Sequence, residues 1–395
     1  MISYDEALEL VRSAASPLGT EAVDIAEAAG RVLAAPVIAE IDSPRSDVSA
    51  MDGYAVRESD LVTFPVSLKV IGESFAGAGW NGTVEPGTCA RIFTGAPVPP
   101  GADRVVIQEN VRREGDLAII DEPPGSAVHI RKAGSDFRSG DELLAAARLL
   151  DPRAIVTAAA ADVAELDVYV RPRLHVIATG DELAAPGTAR ERADAIPESV
   201  SFGVAALAQQ WGAQCVGRTR LRDDLPSMRN AATAALDSAE VIVVTGGASV
   251  GEKDFAKTMF EPLGLELIFS KISIKPGKPV WLGLIGERFV VGLPGNPTSA
   301  MVTARLLLAP LVAALSGQPI EWALAWRKMA LASSLKECGP RETFHRARTL
   351  QGAAEILSFQ DSSAQKVLAE AGLLVRQRAK TPAVATGEAV EILDF

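Results

Sequence analysis

Three polar, glycine-bearing stretches each follow an apolar run, and together they carry the donors that a small anionic ligand needs. The first, Thr179-Gly180-Asp181-Glu182, sets two carboxylates beside a glycine that permits close backbone approach. The second, TGGASVGEKD from Thr245 to Asp254, contains Gly246, Gly247 and Ser249, and successive N–H groups in such a loop can form an anion nest. It matches neither the P-loop nor the G-x-G-x-x-G spacing, so neither mechanism is borrowed. The third runs from Gly292 to Ser299, where Pro294 and Pro297 stiffen the backbone while Gly295 and the following helix start offer N–H groups to an oxyanion. Each has a plain structural reading as well: a helix cap or solvated turn, a long polar turn with Asp254 as cap, and a rigid strand-to-helix turn.

The segment Lys271-Ile272-Ser273-Ile274-Lys275-Pro276-Gly277-Lys278-Pro279 lies between the second and third loops. On a strand, alternation places Lys271, Ser273 and Lys275 on one face and both isoleucines on the other. A lysine-protected edge strand would look the same. With Glu182, Asp223 and Asp254 nearby, these lysines suit a phosphate-bearing ligand held through Mg²⁺, because a hard cation takes carboxylate and phosphate oxygens together. Asp223 in RDDLPSM also reads as the acidic first turn of a helix. His129, His175 and His345 are isolated, and His175 sits inside a strand pattern, so the residues make no case for a histidine triad or zinc centre.

The elements that must position these residues alternate after Arg171. RLHVIAT, CVGRTRL, VIVVT and RFVVGL read as strands; SVSFGVAALAQQW, DLPSMRNAATAALDS, FAKTMFEPL and TSAMVTARLLLAPLVAAL read as helices. That order predicts a parallel-type sheet with helices on both faces, whose ligands bind beyond the carboxyl ends of the strands. Upstream, residues 3–34 read as helical, a β-rich block follows to about Leu144, and LLAAARLLDPRAIVTAAAADVAEL returns to helix, so the two helical stretches are expected to pack together around an insertion. Beyond Ile320 short strands and turns predict a small β domain. GDEL occurs twice, from Gly140 and from Gly180, and only the second copy follows a buried strand.

Composition sets limits on partners. The 395 residues carry a net charge of -11, with 48% hydrophobic, 23% charged and 5% aromatic residues. That length implies several domains, and the acidic balance argues against nucleic acid and requires a local basic cluster for an anion. Cys89, Cys215 and Cys338 show no C-x-x-C spacing, which fits a reducing cytoplasm. MISYDEALELVRSAASP reads as an amphipathic helix rather than a secretory signal. Arg305 and Pro310 interrupt the longest apolar stretch and argue for a buried helix over a membrane span.

Taken in order, SAMDGYAVR, IFTGAPVPPGADRVVIQE, RKAGSDFRSGDELL, RPRLHVIATGDEL, TGGASVGEKDF, ISIKPGKPV and GLPGNPTSA closely resemble the signatures of the molybdopterin molybdenumtransferase family, called MoeA in bacteria and forming the C-terminal part of gephyrin in animals. The resemblance spans nearly the whole chain. It implies a multidomain α/β plus β protein: a helical and β base (1–40 and 140–170), an inserted β domain (41–139), a three-layer α/β molybdopterin-binding domain (171–319) and a C-terminal β barrel (320–395). It implies a homodimer whose cleft lies between the α/β domain of one subunit and the β domains of the other. The implied substrates are adenylylated molybdopterin and molybdate, with Mg²⁺ assisting and AMP released; a molybdopterin adenylyltransferase is a candidate partner.

Carried over by position, Asp52, Thr94 and Asp136 reach the cleft from the β block, and Glu182, Asp223 and Asp254 supply acid groups, some through the metal. Lys271 and Lys275 bind the anion, with Lys278 beside them; Pro294 and Pro297 shape the pocket; Arg346 and Ser363 contribute from the C-terminal domain. The chain departs from the family pattern in Glu198-Ser199-Val200, where Ser-Asn is expected after the acidic residue and Val200 stands in place of the Asn, and at Ala248 in place of Val. Two other readings stay open: a molybdopterin adenylyltransferase, which the α/β domain also resembles, and a non-catalytic molybdopterin-binding scaffold.

Overall fold

The computed structural model describes residues 1–246 and 255–395. Its centre is a six-stranded sheet in the order Gln214–Leu221, Arg173–Thr179, Val241–Thr245, Arg288–Leu293, Trp281–Ile285, Glu266–Phe269. The first four strands are parallel, Trp281–Ile285 alone runs against them, and Glu266–Phe269 pairs antiparallel with it, so the sheet is mixed rather than parallel throughout. The short turn at Gly286 joins Trp281–Ile285 to Arg288–Leu293 directly as a hairpin, which makes that pair antiparallel.

Strand periodicity divides the core in two. Leu174, Val176, Val241, Val243 and Val291 face the helices Val200–Gln210 and 297–315. Ile177, Ile242, Val244 and Val290 face the helix Leu225–Ser238 and the segment around Met259 and Phe260. This is the three-layer α/β arrangement. FAKTMFEPL forms only the four-residue helix Phe255–Thr258, because Pro262 and the left-handed Gly264 end the turn that follows.

The Pro297–Leu315 helix is apolar and long enough to cross a membrane by composition, yet it is the buried helix of this core. It contains a π segment, Ala304–Leu308, in which Arg305 donates to the carbonyls of Ala323 at 2.6 Å and Asp394 at 2.8 Å. Burial draws this guanidinium down to about 10, and the two carbonyls tie the helix to the end of the chain.

The N-terminal expectations need correction. Helix occupies only Tyr4–Ala14, started by a Ser3/Glu6 capping box, and the chain from Thr20 to Asp24 is a strand paired with Glu165–Tyr169. Pro17 and Gly19 break the helix, and the β-branched Thr20 and Val23 suit the strand that follows. The later helix is likewise shorter, Pro152–Ala160, with Asp151 as its N-cap. These two helices do not pack together. Tyr4, Ala7 and Val11 enter the α/β core, whereas Ala154 and Ala158 lie in a separate cluster with Leu33 and Leu166. The spacing of Tyr4, Ala7 and Val11 makes one apolar stripe that the apolar 297–315 helix can cover.

Between these base elements lies a six-stranded sheet containing Gly53–Val56, Thr88–Ile92 and Arg104–Ile107. At the C-terminus the strands Glu342–Leu350, Leu373–Gln377, Ala389–Asp394 and Arg327–Ala330 form another, with Ala353–Ile356 pairing back on Glu342–Leu350. Leu331 bridges Ala354, so the two edges of this sheet meet. The lysine segment joins this sheet: Ile274–Lys275 pairs in parallel with Glu342 and Thr343. The regular strand is two residues long, and the predicted alternation holds around it, with Ile272 and Ile274 buried and Lys271 and Lys275 exposed.

Candidate active site

The three glycine-bearing loops converge at Gly246. Its φ of +90° and the position of Thr179, whose carbonyl oxygen lies 2.3 Å from where a Cβ would stand, leave room only for glycine. From the other side, a Cβ on Gly295 would stand 3.3 Å from the Gly246 Cα. The carboxyl ends of three parallel strands therefore meet backbone to backbone, and the loops they launch line one cavity of about 840 Å³.

Gly180, Glu182, Asp223, Gly246, Pro294, Gly295, Pro297 and Ser363 all border this cavity. Gly247, Ser249 and Asp254 lie outside the described residues. Thr179, Glu198 and Ser299, to which the sequence assigned no role of their own, also line it. Glu198 is 5% exposed and accepts from Ser201 N at 2.8 Å and Ser201 Oγ at 2.6 Å. It caps the helix that Ser199 leaves uncapped, which fixes Val200 as an apolar patch of the wall. Thr179 Oγ1 is buried with no hydrogen-bond partner, a polar atom held at the floor of a polar site.

A second cavity of about 740 Å³ shares Pro279 and Ser299 with the first. Lys275, Lys278 and Arg341 line it against one carboxylate, Asp361. A Cβ on Gly277, at φ +102°, would lie 2.1 Å from Thr303 Cγ2, so the KPGKP turn is pressed onto the 297–303 helix. His345 also borders this cavity, and its Nε2 lies 2.9 Å from Gln377 Oε1. Burial, followed by Lys275, holds the imidazole below its usual value, against the bond to Gln377. It therefore stays neutral beside the lysines.

The C-terminal domain closes the wall between the cavities. Asn296 Nδ2 donates to Ser362 Oγ at 2.9 Å, and Thr298 N donates to the Ser362 carbonyl at 3.2 Å. Asp361 accepts from Ser363 N and Oγ at 2.8 and 2.6 Å, and these bonds hold its carboxyl below the ordinary range. Arg346, 1% exposed, donates to the Asp361 carbonyl at 3.0 Å, and its Nε is buried without a partner. It borders neither cavity; it stands behind the loop that carries Ser363.

Other residues singled out from the sequence lie elsewhere. Lys271 borders neither cavity, and its carbonyl accepts from Ile2 N at 3.3 Å. Asp52 Oδ1 accepts from Thr94 N and Oγ1, both at 2.7 Å; the backbone bond first and the hydroxyl second keep this exposed carboxylate ionised. Asp136 N donates to the Ser43 carbonyl at 3.0 Å. Within one chain none of Asp52, Thr94 and Asp136 reaches either cavity.

Chemically, one cavity joins carboxylates and hydroxyls to the helix start at Pro297, and the adjoining one is cationic. Such a pair suits an extended ligand with a metal-bridged phosphate in the first and an oxyanion in the second. Among the described residues no three His, Cys, Asp or Glu side chains stand close enough to hold a metal by themselves.

A family model for the MoeA N-terminal region (domain I and II) matches residues 2–161, and one for a probable molybdopterin binding domain matches residues 175–314. The molybdopterin molybdenumtransferase of Haemophilus influenzae is 34% identical over 403 residues, covering 100% of this chain and 99% of that protein. The chain belongs to the molybdopterin molybdenumtransferase family. A second member, from Nostoc, is 34% identical over 342 residues, covering 85% of this chain and 78% of its own. The crystal structure of the molybdopterin biosynthesis moeA protein from Pyrococcus horikoshii superimposes over 100% of both chains with a TM-score of 0.83 at 26% identity. The multidomain fold is thus that of the molybdenumtransferases, with the mixed α/β domain between N-terminal and C-terminal β domains.

Proposed function

We propose that this protein takes molybdenum from molybdate and inserts it into adenylylated molybdopterin, releasing AMP, as a cytoplasmic homodimer. The observation that carries the reading is the junction of the carboxylate-lined cavity with the cationic one, which gives a nucleotide-bearing ligand and an oxyanion adjoining places. Lys275 and Lys278 bind molybdate in the second cavity. The dithiol end of the pterin enters from the first, past Ser299 and Pro279.

The chemistry balances without an outside reagent. Two Mo–S bonds form as the two thiols give up their protons and one Mo=O bond breaks, so a single oxo group leaves as one water and molybdenum keeps its oxidation state; cleaving the phosphoanhydride consumes one water and gives AMP and the terminal phosphate of molybdopterin. Glu182 and Asp223 are hard oxygen donors on one cavity wall and fit Mg²⁺, with Asp254 as the third acid group of the proposed set. When bound, Mg²⁺ would neutralise the charge that builds on the phosphoanhydride oxygens. The chain's own part is to hold the pterin against the Pro294–Pro297 turn and to keep the anion next to neutral His345. Asp52, Thr94 and Asp136 complete the cleft from the partner subunit.

Incubation with adenylylated molybdopterin, Mg²⁺ and molybdate tests this reading. AMP release that requires molybdate is expected. AMP release that is indifferent to molybdate would overturn it, and ATP-dependent adenylylation of molybdopterin would point to the adenylyltransferase instead.

A further inference from the structure

The four parallel strands begin at the end of the sheet remote from the active site, and their starts floor a cavity of about 1080 Å³ shared with the base. Four guanidinium groups line it. Arg173 and Arg288 are matched: both donate to Glu240, Arg173 Nη2 at 2.5 Å and Arg288 Nη1 at 2.8 Å. Of the other two, only Arg31 has a carboxylate partner, Glu21. Arg31 is 8% exposed; its Nη2 bonds Glu21 and the Tyr169 carbonyl, while its Nε is buried with no acceptor. Arg171 donates to one carbonyl, that of Ala29 at 3.3 Å, and has no carboxylate within ion-pair distance among the described residues. Its guanidinium lies over Gly30, next in the chain to Arg31, with Nη2 3.8 Å from where a Gly30 Cβ would be.

Two neighbouring guanidinium groups of which only Arg31 is paired with a carboxylate repel each other, and each retains unused donors. Burial first and Arg31 second bring Arg171 below its ordinary value, as expected of a cation held beside another. A doubly charged oxyanion would relieve that repulsion and accept from both forks. The cavity is larger than the anion alone requires; Trp211, Gln214 and Gln318 are among the other residues that line it, and its carboxylates are Glu21, Glu240 and Glu287 against the four guanidinium groups.

We propose that this cavity is a second ligand site, binding the dianionic head of a phosphomonoester between Arg31 and Arg171, with the organic part toward Trp211. The site joins the base to the α/β domain, so its ligand clamps the two together. It is separate from the catalytic cleft and does not depend on the reaction assigned there.

The probes are inorganic phosphate and glycerol 3-phosphate, titrated calorimetrically into the full-length protein, with succinate as the carboxylate control. Arg171→Gln alters an exposed side chain and is expected to weaken binding of both phosphates at least about tenfold while leaving AMP release unchanged. Arg31→Lys keeps the charge but removes the orphan donor and is expected to weaken them as well. Lys275→Ala, in the catalytic cavity, should leave this binding intact. Wild-type phosphate affinity in Arg171→Gln would overturn the proposal, as would complete loss of phosphate binding in Lys275→Ala, or succinate binding as tightly as phosphate.

Discussion

Replacing Gly246 by alanine tests whether the loops work because their backbones touch. Two costs arise at this position. A left-handed backbone angle costs a residue with a Cβ about 1–2 kcal/mol, and here φ is +90°. The second cost is steric: the new methyl would stand 2.3 Å from the Thr179 carbonyl oxygen, and strand and loop must part by about 1 Å to restore van der Waals contact. Gly140 separates the two, since its φ is +93° but nothing lies within 4 Å of its Cβ position. Gly140→Ala should therefore lower stability by about 1–2 kcal/mol and leave turnover near the wild-type level. Gly246→Ala should add the displacement of the loop that carries Glu182, and a shift of about 1 Å at a catalytic group costs on the order of 100-fold in rate. The assay is kcat/KM for molybdate-dependent AMP release beside thermal unfolding of both variants. If Gly246→Ala keeps wild-type kcat/KM, or if both variants lose the same activity, the close approach has no part in forming the site.

Three further outcomes follow from the geometry. Asp52→Ala and Lys275→Ala chains, each inactive alone, should recover about a quarter of the wild-type rate when dissociated, mixed and reassociated, because half of the dimers are mixed and each carries one complete cleft; no recovery would mean that both residues act within one chain. Glu240→Gln removes the carboxylate that ties together Arg173 N, Arg173 Nη2 and Arg288 Nη1 at the strand starts, so the unfolding temperature should fall with a loss of about 1–3 kcal/mol while kcat is unchanged. His345 is held below its ordinary 6.5 mainly by burial, so the unfolded chain binds more protons than the folded one beneath that pH. Stability should thus decline as pH falls through 6.5; His345→Gln should flatten the decline, and His175, lowered by burial in the same way, accounts for what remains.

Local signals carried the α/β domain well. VIVVT is a fully buried strand, and the loops after RLHVIA, VIVV and RFVV do meet at one cavity, because strand period and glycine placement are properties of short segments. Chain-wide packing was less visible. The apolar stripe of Tyr4–Ala14 could have suited either the base or the α/β core, and only the three-dimensional placement of the 297–315 helix decides between them. Lys275 and Lys278 were readable as a basic cluster, but their companions Arg341, just before the strand Glu342–Leu350, and His345, within it, lie about 70 residues away, a distance over which no spacing rule operates. Val200 stood out as a departure from a family pattern, whereas the role of Glu198 before it, as a buried helix cap, depends on Ser201, one turn on. Asp52 and Thr94 hydrogen-bond one another across 42 positions, a contact made by the sheet of the inserted domain.

The central claim is that molybdenum insertion and AMP release are one coupled event. It is tested most directly by a single-turnover experiment in which the protein, loaded with adenylylated molybdopterin and Mg²⁺, receives limiting molybdate, and released AMP and pterin-bound molybdenum are counted together. The account predicts equal amounts of the two, rising in step with added molybdate and both abolished in Lys275→Ala. AMP released without molybdate, or molybdenum bound to the pterin without AMP release, would contradict it.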